Sequence, residues 1–292
     1  MNFATFERAV GAPLDAVRAF LGATVVEVTP VSRVRPADAV RGAVRVRLAD
    51  GRLVKLRRAS TEAQARDVAA LLEALDEPAL PRALFVSGRV LVEPWVEGVP
   101  LDGHPELVRH AETLGALLGR VHTARVAGRA PSRTTASTDP VRARFERHVA
   151  DLAAAGVLLA ADADRARALV AATLPALAEV GVVHRDLCAE NVVVTPAGRA
   201  VVVDNESVRV AELDGDLGRT FARWPMDAAV RAAFLAGYAP HRDPAAAQRD
   251  ERAWRTLAVT KSLHVRAVRL RVPVADVLAD LRALLADDVT RS

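Results

Sequence analysis

The stretch VGVVHRDLCAENVVVTPAGRAVVVDNESV sets His184, Asp186, Asn191 and Asp204 at intervals of two, five and thirteen residues. Carboxylate and amide oxygens are hard donors that accept hydrogen bonds from hydroxyls and coordinate small divalent cations. Two polar residues in a loop would give the same His-x-Asp pattern, so that pair alone says little. Three features favour a working group. An Asn follows Asp186 by five residues, two strand-like runs and a Pro-Ala-Gly turn separate Asn191 from Asp204, and two of the chain's three asparagines, Asn191 and Asn205, fall in this stretch. A turn after Asp186 and a hairpin between Asn191 and Asp204 would bring all three groups to one edge.

The elements that must hold these residues follow from hydrophobic periodicity. From about Phe3 to Leu21, apolar residues recur at helical spacing. The runs ATVVEV and AVRVRLADGRLVKLRR read as strands, the second a hairpin that turns at Asp50-Gly51 and carries Lys55 on its return strand. Ser60 or Thr61 caps a helix whose stripe is Val68, Leu71, Leu72 and Leu75 and which stops before Pro78. A second hairpin, RALFVSGRVLVEPWVEG, turns at Ser87-Gly88. Beyond Pro105 the pattern predicts helices, one on Leu107 to Val121 and others over about Pro140–Ala155 and Ala161–Val180, with a loop from Gly128 to Asp139. The strands NVVVTPAG and RAVVVDNESV interrupt them, and helices resume from about Asp227.

Composition narrows the classes. A length of 292 residues suggests two domains or one two-lobed domain, and 51% hydrophobic with 26% charged residues excludes a disordered chain. The net charge is +4 from 40 basic and 36 acidic residues. These charges are interspersed, so no basic tract marks a nucleic-acid partner. One cysteine, Cys188, excludes an internal disulfide framework, and the opening MNFATFERAVGA lacks a signal-peptide pattern. No run approaches the ~18 apolar residues of a membrane span. The expectation is a protein of the cytoplasm with no membrane partner. Arginine accounts for 38 of the 40 basic residues, which makes Lys55 and Lys261 conspicuous.

HRDLCAEN resembles the catalytic-loop pattern His-Arg-Asp-Leu followed after three residues by Asn, and Asp204 stands where the metal-binding Asp beyond the next hairpin belongs. From about Val25 to Tyr238 the chain is similar to the aminoglycoside phosphotransferase and choline kinase branch of the protein-kinase-like fold. That resemblance implies an α+β, two-lobed protein-kinase-like fold. Residues 1–96 would form a nucleotide-binding lobe with a mixed antiparallel sheet plus helix, and residues 97–292 a mainly helical catalytic and substrate-binding lobe. It also implies an ATP- and Mg-dependent phosphotransferase moving the γ-phosphate to a hydroxyl of a small molecule: aminoglycoside-like, amino-alcohol, sugar or another metabolite.

In that family pattern Asp186 orients the acceptor hydroxyl, Asn191 and Asp204 hold Mg²⁺, and Lys55 reaches the α- and β-phosphates. A carboxylate of the following helix secures Lys55; Asp67, at the edge of the apolar stripe, fits better than Glu62 or Glu73. Backbone groups near Pro94 and Val96 receive the adenine. His184 packs under the loop, Arg185 replaces the branch's usual glycine and serves as an ion-pair partner, and Asp216 caps a helix. Glu206 joins the metal shell, binds substrate or pairs with an arginine. No glycine-rich phosphate loop is evident; Gly42 stands alone, with Ser32 and Arg33 taking its place. That departure keeps a nucleotide-binding pseudokinase as the alternative. The short segment after Asp204, without Ala-Pro-Glu, argues against a protein kinase.

Overall fold

Val44, Val46 and Leu48 alternate with Arg45 and Arg47, and the strand they form turns its apolar side inward. In the computed structural model, which describes residues 6–7, 14–31, 43–126 and 134–286, the chain folds as two compact units. One comprises Met1–Pro105 with Ala189–Arg209, the other Glu106–Cys188 with Val210–Ser292. The roles expected of Ser32, Arg33 and Gly42 lie outside the described residues.

The first unit begins with α1 (Asp15–Leu21) and β1 (Val25–Val31), followed by β2 (Ala43–Leu48), β3 (Leu53–Arg58) and α2 (Glu62–Leu75). The hairpin of β4 (Phe85–Ser87) and β5 (Val90–Pro94) completes an antiparallel sheet of order β1-β2-β3-β5-β4. Val46, Val54, Leu56 and Val92 bury one face of this sheet against Val17 and Leu21 of α1. Each such side chain contributes about 1.5–3 kcal/mol on leaving water. Because strand side chains alternate, the other face of β3 carries Lys55 and Arg57, and both are buried. Thr61 caps α2 by accepting from the Gln64 N–H at 3.1 Å, and Asp76 ends it in the left-handed region at φ 47°.

A small sheet of order β10-β9-β6 joins β6 (Val99–Pro100) to the hairpin of β9 (Val192–Val194) and β10 (Ala200–Val202). Val193 pairs with Val201 and Val192 with Val202. The Val203 N–H then donates to the Asn191 carbonyl at 2.7 Å, so the open end of this hairpin sets Asn191 opposite Val203, with Asp204 next in line.

The second unit is mainly helical. Its elements are α3 (Leu107–Thr123), β7 (Thr134–Ser137), α4 (Asp139–Ala154), α5 (Ala160–Thr173), β8 (Leu177–Val183), β11 (Arg209–Glu212), α6 (Leu213–Arg223), α7 (Ala228–Tyr238), α8 (Pro244–Arg249), α9 (Glu251–His264) and α10 (Ala275–Ala286). Phe145, Leu152, Leu169, Trp254, Leu263 and Leu281 anchor its core. Helices α3 and α7 touch backbone to backbone: a Cβ added to Gly115 would lie 1.9 Å from the Phe234 carbonyl oxygen, and one on Gly237 1.9 Å from that of Glu112. Among the described residues no helix is long and apolar enough to cross a membrane.

Three expectations are corrected. Thr134–Ser137, read as loop, forms a strand because it pairs antiparallel with β8 from Thr134↔Val180 to Ser137↔Leu177. The helix expected to run to Val180 ends at Thr173, since Pro175 disfavours helical backbone at Leu174, and the valines beyond it suit a strand. Helices resume at Leu213 rather than Asp227. The segment LDGDLGRTFAR has weak helix propensity, and packing overrides it: a Cβ on Gly218 would meet Trp254 Cβ at 2.5 Å.

Candidate active site

In the first unit the sheet register decides which groups meet. Lys55 lies directly across from Glu93 of β5, on the same face, and the ammonium stands 3.6 Å from its carboxylate. The Lys55 Nζ also donates to Asp204 Oδ1 at 2.5 Å. Arg57, two residues along β3, shares that face and adds a fork: Nη2 bonds Asp204 Oδ1, Nη1 bonds Glu206, and Nε reaches Glu93 at 3.4 Å. Burial pulls the Arg57 guanidinium down, but Glu93, Asp204 and Glu206 overcome it and raise its pKa, so the group stays charged. For Asp204, burial pushes upward and the charges of Arg57 and then Lys55 prevail, holding the carboxyl well below its ordinary range. Asp204 sits at φ 66°. Short polar side chains tolerate that left-handed backbone. The Gln64 side chain of α2 donates to the Glu206 carbonyl at 3.2 Å.

Asn191 and Asp204 offer hard oxygen donors at one hairpin end. Among the described residues no group of three or more His, Cys, Asp or Glu side chains gathers into a protein-built metal cage.

In the second unit Asp186 is fixed by α6. Arg219 Nη2 donates to its Oδ1 at 2.8 Å, and Arg223, one turn later, approaches to 3.8 Å. Burial raises the Asp186 carboxyl, and the two guanidiniums outweigh that and keep it below the usual carboxylate range. Beneath the loop lies Asp216, fully buried. Its Oδ2 accepts from the His184 N–H at 2.7 Å and its Oδ1 from the Arg185 N–H at 2.7 Å. The carboxylate can only accept, so His122 Nε2, 3.1 Å from Oδ2, carries a proton toward it. His122 Nδ1 meets the Tyr238 hydroxyl at 2.8 Å, and burial pushes that phenol up to about 12. Arg185 stands at φ 69°, strained for a side chain with a Cβ, and Asp216 holds it there. Its guanidinium lies 3.5 Å from Glu212.

A model of the phosphotransferase enzyme family matches residues 34–254. The chain belongs to this family. Its fold is that of solved family structures. Choline kinase from Streptococcus pneumoniae aligns at a TM-score of 0.65 and 13% identity, covering 94% of this phosphotransferase and 97% of that chain. A macrolide 2'-phosphotransferase from Brachybacterium faecium aligns at 0.60 and 18% identity over 93% and 97% of the two chains. An aminoglycoside phosphotransferase from Alicyclobacillus acidocaldarius gives 0.57 and 18% over 92% of each. No curated protein matches the sequence. Family and fold together make this chain a small-molecule phosphotransferase.

Within the phosphotransferase the expected residues fall as follows. Lys55, Asn191 and Asp204 are in the first unit, with Lys55 on Asp204. Pro94 ends β5, and Val96 follows it, half-buried. Asp67 occupies an exposed position on α2, and the carboxylates beside Lys55 are instead Glu93 and Asp204, because cross-strand pairing brings Glu93 to the same face. Asp216 is not a cap; it lies inside α6 and braces the backbone of the loop. Glu206 pairs with Arg57. Sequence reasoning passed over Arg57, Glu93 and Arg219. Arg57 was signalled by spacing, since it is two residues from Lys55 on a strand, whereas Glu93 depends on the β3–β5 register. Arg219 follows Asp216 by three on a helix, which aims both toward one side.

Proposed function

We infer that the protein transfers the γ-phosphate of ATP, with Mg²⁺, to a hydroxyl of a small molecule. The observation that chiefly supports this is the 2.5 Å Lys55–Asp204 contact at the hairpin end that also carries Asn191. Phosphoryl transfer asks a protein mainly to position its reactants and neutralise charge. Lys55 presents a compact cation to the α- and β-phosphates, and Glu93 anchors it as the resemblance had assigned to Asp67. Adenine would rest on backbone groups near Pro94 and Val96.

Asn191 and Asp204 would hold Mg²⁺, which when bound neutralises the phosphate oxygens. Their oxygens suit it, and among the described residues no donor occupies Asp204 Oδ2. Asp186 accepts the hydrogen bond of the acceptor hydroxyl. Held at low pKa by its arginines, it is a weak base that orients the oxygen first and takes the proton late, as the new P–O bond forms and ADP departs. The setting is the cytoplasm, and the reaction needs no nucleic acid or membrane.

The Asp186→Ala variant tests the reading. It should keep nucleotide binding and lose transfer by about 10²–10⁴-fold. ATP with Mg²⁺ should also raise the melting temperature more than ATP alone. Undiminished transfer in the variant would overturn the assignment.

A further inference from the structure

Lys261, the second of the chain's two lysines, has no part in the chemistry above. It lines an open pocket wholly within the second unit. Helix α4 contributes Arg144, the loop Arg185, α6 Arg219 and α9 Lys261 with Trp254, whereas Glu212 is the one carboxylate in the lining. Four cationic side chains thus face a single acid, and that acid is engaged by Arg185 at 3.5 Å. Arg219 joins the pocket to the reaction, since its Nη2 bonds Asp186 at 2.8 Å. Even with Asp186 added, cations outnumber carboxylates two to one.

We propose that the acceptor is an anion: a hydroxylated small molecule bearing a carboxylate or phosphate, bound in this pocket with its charge on Arg144 and Lys261. The proposal rests on the phosphotransferase reading and narrows its substrate. A guanidinium offers a planar fork to carboxylate or phosphate oxygens, and an ammonium adds a compact charge beside it. Buried Phe145 and Trp254 supply apolar walls for the carbon skeleton. A choline-like or polycationic acceptor would enter against these charges with no acidic cluster to receive it. His148, on the same wall, registers the field. Burial first, then the charges of His264, Lys261, Arg144 and Arg269, push its pKa down to about 4, so it is neutral at pH 7 and leaves the surplus cationic.

The experiment has two arms. In the first, calorimetry follows gluconate and inorganic phosphate binding to the full chain with the nucleotide site saturated by ADP, with choline as the cationic comparison. Gluconate or phosphate should bind, choline should not, and Arg144→Glu and Lys261→Glu should each weaken the anion at least tenfold. Lys261→Met should weaken it less. The melting shift caused by ADP, retained in each variant, certifies that the chain is folded. Choline binding in preference to both anions, or anion binding indifferent to all three variants, would overturn the proposal. In the second arm ADP release is followed with hydroxy acids, sugar phosphates, amino-alcohols and aminoglycosides. Turnover confined to the cationic acceptors would refute the anionic assignment while leaving phosphate transfer intact. Anion binding in the first arm without turnover of any acceptor would instead refute the transferase reading and leave the anion site standing.

Discussion

Replacing Asp216 with asparagine tests how the loop that carries Asp186 is held. The native carboxylate accepts three hydrogen bonds in a fully buried position, one on Oδ1 from the Arg185 N–H and two on Oδ2 from the His184 N–H and His122. Asparagine has one acceptor oxygen, so whichever way its amide turns, an NH₂ faces at least one N–H. A charge-assisted bond contributes about 1.5–3 kcal/mol, and an unpaired buried donor costs about 1–3. Since the surviving bonds also weaken on losing the charge, Asp216→Asn should destabilise by about 3–5 kcal/mol. At about 2 °C per kcal/mol for a chain of this size, the melting temperature should fall by roughly 6–10 °C. Urea unfolding at pH 7 measures it directly.

The same carboxyl fixes a pH window. Burial would raise its pKa, but the His122 hydrogen bond and the charges of His122, His184 and Arg185 hold it below the ordinary 3.8. Its contribution is therefore present above about pH 4 and lost as pH falls through the lower folded-state value. Wild type and variant should converge only in that acid range. An asparagine variant within about 1 kcal/mol of wild type at pH 7 would refute the idea that Asp216 braces the loop.

Arg57→Met should destabilise by about 2–4 kcal/mol, less than a fully buried pair would because Asp204 and Glu206 are near half-exposed; it should also tighten Mg²⁺ binding without nucleotide by removing a rival cation from Asp204. Calorimetric Mg²⁺ titration with urea unfolding checks both, and no change in either would refute the clamp. The depressed pKa of His148 makes the folded chain bind its proton only near pH 4, whereas the unfolded chain does so near 6.5. Stability from this group is complete above pH 6.5 and declines as pH falls toward 4, so His148→Gln should flatten that decline, and parallel curves for the two proteins would count against it. Gly237→Ala should cost about 1–3 kcal/mol, since its Cβ would collide with the Glu112 carbonyl; a neutral result in thermal unfolding would contradict the close crossing of α3 and α7.

What could be read from the chain was local. The hairpins around Asp50-Gly51 and Ser87-Gly88 were legible because period-two alternation and turn residues lie within a few positions of each other. The face shared by Lys55 and Arg57 was equally open to reading. Pairing of β3 with β5 was not, because the register that sets Glu93 across from Lys55 joins segments nearly forty residues apart. The choice of Asp67 came from the helical stripe, a real pattern that carried no information on that register. Helix α6 escaped the periodicity reading for a related reason, although the resemblance had placed a helix start at Asp216: its glycines lower propensity, and only contact with Trp254 explains them. Pro175, like Arg57, was a missed signal that stood in plain view.

Cys188 lies two residues after Asp186 with no exposure, and it is the chain's single thiol. A disulfide reagent can react with this protein only when the segment around Asp186 and Cys188 opens. The slow labelling rate of the native chain thus becomes a clock for that opening, needing no engineered probe and free of background from other thiols. A ligand that settles against the loop should slow the clock, and ligands can be ranked by how far they do so.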